Sequence, residues 1–352
     1  MNISVKPYGT LSDGREAKLY TLENNNGMSA SISNFGGVIV NLMVADKNGN
    51  LADVVLAHKG LEQYVGGNPG SFGAVIGRNA NRVKGAIFES EGQLYPLETN
   101  NGENNLHTGK GGLQFRLFDA EITADEDGVR LLLTCLVPHL DDKFPGNFTA
   151  EVAYTLDDTN TLMIEYHAVS DRETLINLTN HTYFNLAGHD SGAVYGHELQ
   201  MNSSFYTPAS SANILTGEVL SVEGTPMDFR NSTALGELVQ GSFEQIKQFS
   251  GIDHNFMLDG SGYRKVATLT DPASGRVMHT FTDLPAVQVY TGNNLPNSCP
   301  EKSEKPYAKN GGICLETQTV PNAAQMPWLA SPVYEAEQEY FSTTAYQFEV
   351  KQ

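Results

Sequence analysis

Glycine, asparagine and aspartate interrupt this chain at intervals of about ten residues, and the stretches between them are short runs of β-branched and aliphatic side chains. That rhythm leaves no room for long helices and matches the strand-and-turn spacing of a sandwich or barrel. Residues 38–44 run directly into Asp46-Lys47-Asn48-Gly49-Asn50, a strand followed by Asn-Gly turn chemistry. Residues 129–135 follow Asp127-Gly128 in the same way, and residues 162–169 and 266–270 have the same character. Helical periodicity is confined to residues 232–239, with Ser232 or Asn231 as N-cap. No Pro/Ser linker, low-complexity tract or repeat of fixed period divides the chain. The expectation is an all-β fold, a large antiparallel β-sandwich forming a single domain over residues 1–352.

Composition narrows what such a fold could do. A hydrophobic fraction of 40% with 18% charged residues is that of a folded protein. The net charge of -19, from 41 acidic and 22 basic residues with no basic run, disfavours nucleic acid or an acidic membrane surface as partner. Cys135, Cys299 and Cys314 lie far apart and form no C-x-x-C pair, so neither a disulfide framework nor a thiolate metal site is expected. The amino terminus, Met1-Asn2-Ile3-Ser4-Val5-Lys6, leads into no apolar stretch, and no segment reaches the length of a membrane span. A cytoplasmic protein is the corresponding expectation, either a monomer or a homodimer.

Candidate chemistry sits in short polar segments scattered over more than two hundred residues. They are Gly77-Arg78-Asn79-Ala80-Asn81-Arg82, Asn104-Asn105-Leu106-His107, residues 177–186 (NLTNHTYFNL), Gly251-Ile252-Asp253-His254-Asn255-Phe256 and Cys314-Leu315-Glu316-Thr317-Gln318. Read as a strand, residues 178–185 put His181, Tyr183 and Asn185 on one face and Leu178, Asn180, Thr182 and Phe184 on the other. Period two likewise sets Cys314, Glu316 and Gln318 opposite Ile313, Leu315 and Thr317, and Gln288 and Tyr290 opposite Val287 and Val289. A lone histidine is more often structural than catalytic, and Asp253-His254 could be a turn bonding its own backbone. A glutamate on an apolar strand is harder to dismiss, because a half-buried carboxylate is costly unless paired or used. Gly66-Gly67-Asn68-Pro69-Gly70 lacks the Lys-Ser/Thr of a phosphate loop, and no H-E-x-x-H or G-x-S-x-G occurs. The inventory suits proton transfer on an uncharged, polyhydroxylated ligand.

Taken together and in order, the segments resemble the aldose 1-epimerase family, from about Asn34-Phe35-Gly36-Gly37 to Pro327. The most specific pieces are Gly77-Arg78-x-Ala80-Asn81-Arg82, Leu178-Thr179-Asn180-His181-x-Tyr183-Phe184-Asn185-Leu186, Asp253-His254-Asn255-Phe256, Val287-Gln288-x-Tyr290-Thr291-Gly292-Asn293 and Cys314-Leu315-Glu316-Thr317-Gln318. The resemblance implies a supersandwich of the galactose mutarotase type acting on free hexoses such as galactose and glucose, with no cofactor and no metal. It implies Glu316 as general base, His181 as general acid and His107 as a second histidine at the sugar. Asn81, Arg82, Asp253 and Gln288 would hold hydroxyls, with Tyr183 beside them.

Exchanging the anomers of a pyranose means removing the C1 hydroxyl proton while protonating the ring oxygen. A carboxylate of ordinary pKa ~4.3 and an imidazole near ~6.5 fit those tasks, and a bell-shaped pH profile with one limb from each is expected. Thr108, Phe118, Ile252, Asn310 and Asn322 depart from the family pattern, and they are expected to bear on the cleft rim and so on sugar preference. Three other readings remain in view. A hexose 6-phosphate epimerase should show an extra basic cluster, and a sugar-binding protein should lack Glu316 or His181. A glycoside hydrolase would need two carboxylates such as Asp253 and Glu316 across the scissile bond.

Overall fold

The fold is that of a computed structural model, which describes residues 1–124, 129–239, 241–295, 302, 305–326 and 328–351. The Asp127-Gly128 turn, Cys299 and Pro327 lie outside the described residues. Three antiparallel sheets carry the architecture. The largest has nine strands, in the order Asp119–Ala124, Val129–Val137, Phe148–Leu156, Thr161–Ser170, Tyr340–Val350, Arg276–Thr282, Arg264–Thr270, Glu198–Met201 and Thr233–Ala234. A five-stranded amino-terminal sheet runs from Asn2–Thr10 to Leu51–Asp53. A second five-stranded sheet orders Leu220–Ser221, Phe205–Thr207, Asp253–Met257, Ala286–Tyr290 and Cys314–Gln318.

The expected all-β sandwich is therefore what forms, and the reason is visible in the side-chain alternation. Leu131, Leu133, Val152, Tyr154, Ile164 and Tyr166 of the nine-stranded sheet share one core with Phe256, Val287, Val289 and Leu315 of the second five-stranded sheet. Sheets that bury one face alternate apolar and polar residues, which frees the opposite face of the latter sheet for polar work. The turn after Val38–Ala45 forms as its sequence dictates: Asp46 Oδ1 accepts from the amides of Asn48 and Asn50, and Gly49 takes φ +82°.

The helix expected over residues 232–239 is only half right. Thr233–Ala234 pairs with Glu198–Met201 as the last strand of the large sheet, and helix begins at Leu235–Val239. Ser232 caps nothing; its hydroxyl donates to Glu198 at 2.8 Å. Pairing with an open sheet edge satisfies more backbone groups than another half-turn of helix would. Two other short helices, Leu61–Val65 and Glu244–Phe249, lack the length for a periodic signal.

Arg78, four residues before Arg82, is wholly buried and forms a two-pronged pair with Asp142, Nε to Oδ2 at 2.9 Å and Nη2 to Oδ1 at 3.1 Å. Nη1 donates to the Pro145 carbonyl, and the guanidinium lies over the Phe148 ring at 4.6 Å. Burial lowers the Arg78 pKa and raises that of Asp142, while each charge favours the ionised form of the other. Asp142→Ala should thus strand a buried cation and cost about 3–5 kcal/mol. The check is a urea titration in which the midpoint falls while the slope is unchanged.

Candidate active site

Three adjacent strands supply the floor of a polar cleft of about 240 Å³. Asp253 stands opposite Tyr290, and Gln288 opposite Glu316, all on the face turned away from Val287, Val289 and Leu315. Gly251 and Asn293 fix the entry to Asp253–Met257. Gly251 has φ +152°, and a Cβ there would lie 2.0 Å from Asn293 Oδ1. Asn293 in turn donates to the Ile252 carbonyl at 3.0 Å.

His181 follows the two-residue strand Thr179–Asn180. Its amide donates to the Ala74 carbonyl and its carbonyl accepts from Gly73. The chain from 181 onward is not the continuous strand expected: Phe184 alone bridges, to Val55 and Ile313. His181 and Tyr183 still reach the cleft together, whereas the Asn185 amide is turned inward to the Gly192 and Gly311 carbonyls. Tyr183 lends its ring only, since its hydroxyl donates to the Gly70 carbonyl at 2.8 Å.

All eight residues expected at the site line this cleft: Asn81, Arg82, His107, His181, Tyr183, Asp253, Gln288 and Glu316. Glu316 is buried, with Oε1 3.6 Å from His181 Nε2 and Oε2 without a protein hydrogen-bond partner. Burial first, then the neighbouring Asp253, pushes its pKa well above the ordinary carboxylate value, while Arg82 pulls the other way. Burial lowers His181 to about 4 and takes His107 well below 6.5, so both rings are neutral at neutral pH. The expectation of a limb near 6.5 from His181 does not survive this burial.

The tautomer of His107 follows from its backbone setting. The Asn81 amide donates to Nδ1 at 3.1 Å, so the single proton of the neutral ring sits on Nε2. His107, His181 and Glu316 bring possible ligand atoms within 4.8 Å of one another. A metal bound to Nε2 of His107 would require a proton on Nδ1, facing the Asn81 amide; the ring is built to donate instead.

Asp253 is a fixed acceptor. Gln288 donates to Oδ1 at 2.7 Å and Asn213 to Oδ2 at 2.6 Å, leaving further lone pairs for hydroxyl hydrogens. Arg82 is oriented by Asn101, which accepts from Nε at 3.0 Å, and among the described residues no other group occupies its guanidinium donors. It is the only cation among the described residues that line the cleft. Asn213, Asn101, Tyr290 and Ser71 escaped the sequence reading as site residues. Only Tyr290 carried a signal, its shared face with Gln288.

None of the five family departures is among the residues that line the cleft. Thr108 Oγ1 accepts from the Asn79 amide and donates to the Asn79 carbonyl. Phe118 and Ile252 are core residues, Asn310 donates to the Thr291 carbonyl, and Asn322 accepts from the Lys84 amide.

An antiparallel sandwich whose cleft gathers two carboxylates and two imidazoles amid amide and guanidinium hydrogen-bonders is a candidate acid/base site. Comparison with known proteins narrows the class. The aldose 1-epimerase family model matches residues 18–347. A galactose mutarotase of Bos taurus is 37% identical over 92% of each chain, and an aldose 1-epimerase of Haemophilus influenzae is 34% identical over 96% of this chain and 97% of its own. The crystal structure of a galactose 1-epimerase from Lactobacillus acidophilus superposes with a TM-score of 0.88 at 26% identity, covering 100% of this chain and 99% of that one. The chain belongs to the aldose 1-epimerase family.

Proposed function

We propose that the protein interconverts the α and β anomers of free hexoses such as galactose and glucose, with Glu316 and His181 as the proton-transfer pair. The observation that carries this is the 3.6 Å separation of Glu316 Oε1 and His181 Nε2 at the floor of a cleft lined by hydroxyl-binding groups. The Glu316 carboxylate takes the C1 hydroxyl proton as His181 Nε2–H gives its hydrogen to the ring oxygen. The C1–O5 bond opens to the aldehyde, C1 rotates about the C1–C2 bond, and closure on the other face runs the transfers in reverse. A neutral imidazole can serve an oxygen on which charge builds, provided the site is dry and the donor is preorganised. While the sugar is open, the short gap holds the Glu316 carboxyl proton beside the deprotonated His181 ring, and closure returns each proton to the group it came from.

Asn81, Arg82, His107, Asp253 and Gln288 hold hydroxyls, and Tyr183 and Tyr290 offer ring faces to the C–H side of the sugar. Fixing the pyranose this way supplies orientation without requiring charge on the substrate. The net charge of -19 supports a life apart from nucleic acids, and no helix among the described residues is long and apolar enough to cross a membrane. We place the protein in the cytoplasm, as a monomer or homodimer acting as one unit.

A substrate panel tests the reading against its rivals. Polarimetry should show faster mutarotation of α-D-galactose and α-D-glucose, no preference for galactose 6-phosphate and no release of nitrophenol from a nitrophenyl galactoside. A marked preference for the phosphate, or glycoside hydrolysis, would displace it. The pH profile follows from the burial of the pair. Glu316 must be ionised, so kcat/KM should rise with pH through a limb above the ordinary carboxylate range and be lost below it. No fall should occur near pH 6.5, because His181 has already lost its charge near pH 4. A descending limb between pH 6 and 7 would contradict a neutral His181.

A further inference from the structure

One buried thiol at the site has no part in the proton transfers. Cys314 lies two residues before Glu316 on the same strand, is completely buried, and places Sγ 3.5 Å from His181 Nδ1. It packs among Leu56, Ile76 and Tyr183, so a bland account would make it a small apolar filler. The polar contact argues for more. His181 turns Nε2 toward the Glu316 carboxylate at 3.6 Å, and a carboxylate oxygen there favours the ring proton on Nε2. A neutral imidazole has one proton, so Nδ1 is then a lone pair in need of a donor. Cys314 is that donor: burial first, then the charges of Glu316 and Asp253, hold it as a thiol and not a thiolate.

We infer that Cys314 is a positioning residue whose S–H donates to His181 Nδ1 and thereby holds the ring as the Nε2–H tautomer facing the substrate. This rests on His181 being the proton donor of the proposed reaction. The arrangement parallels that of His107, whose Nδ1 accepts from the Asn81 amide. Both imidazoles then present Nε2–H to one cleft, one held by backbone and one by sulfur. The thiol also suits the site because it supplies a donor without placing a further charge beside Glu316.

The test separates the tautomer from the activity. Nitrogen-15 NMR of the whole protein at neutral pH, with the His181 resonances identified by their loss in His181→Asn, should show Nε2 protonated and Nδ1 as a lone pair. Cys314→Ala should shift the ring toward a mixture and lower kcat about five- to tenfold, the worth of one modest hydrogen bond, with the KM for galactose nearly unchanged. Cys314→Ser restores an O–H donor and should recover most of both signals, although a hydroxyl in an apolar cluster would be the worse choice for a filler. A wild-type spectrum with the proton on Nδ1 would overturn the inference. So would a Cys314→Ala protein with unchanged tautomer and kcat, or a serine variant no better than alanine. Should Cys314→Ala fail to fold, the wild-type spectrum and the serine variant still decide. If the wild-type protein accelerates no mutarotation, the proposed function fails, while the spectrum continues to report on the thiol.

Discussion

Glu316→Gln should lower the rate of mutarotation by roughly 10²- to 10⁴-fold or more, because it removes the group that the proposed reaction uses to take the C1 hydroxyl proton. The substitution keeps shape and one acceptor, so the KM for galactose should move little. Its effect on stability has the opposite sign from its effect on rate. Glu316 is buried beside Asp253, with Oε2 unpartnered, and ionising it there is costly. A neutral amide relieves that cost, and the melting temperature should hold or rise, as is common where a site sacrifices stability for activity. Calorimetry alongside polarimetry checks both halves. An active Glu316→Gln protein would sink the base assignment.

His181→Asn is expected to lose a comparable factor, again roughly 10²- to 10⁴-fold in kcat, by removing the Nε2–H that is proposed to serve the ring oxygen. In the proposed reaction the two groups act in one concerted step, so their losses should not multiply. Glu316→Gln combined with His181→Asn should be little slower than the slower single variant, the pattern of residues that work as a unit. Polarimetry on the two single variants and the double variant decides this. Full additivity would mean that the groups serve separate steps, and an unimpaired His181→Asn enzyme would move the donor role to His107.

Much of this site was readable before any coordinates because strand alternation is a strict rule. Glu316 opposite Leu315, and Gln288 and Tyr290 opposite Val287 and Val289, fall on the faces that period two assigns them. Tertiary context decided the rest. Residues 181–185 form no ladder of their own, and alternation brings His181 and Tyr183 to one cleft but fails at Asn185, which is drawn inward by the Gly192 and Gly311 carbonyls. Asn213 and Asn101 were beyond reach, since each acts through a loop contact, to Asp253 across 40 residues and to Arg82 across 19. The electrostatics were also hidden. Ordinary pKa values suggested a titrating histidine, but burial depth is a property of the folded cleft, and it moves His181 to about 4 and Glu316 upward. The family departures gave no view of the lining, because Thr108 and Asn310 spend their side chains on backbone groups and are absent from the cleft.

The most direct test of the central claim is the optical rotation of freshly dissolved α-D-galactose followed with and without the protein. The account predicts a faster approach to the same final rotation, with a rate proportional to protein concentration and lost in Glu316→Gln. A time course identical to that of buffer alone, or an altered final rotation signalling a different product, would contradict it.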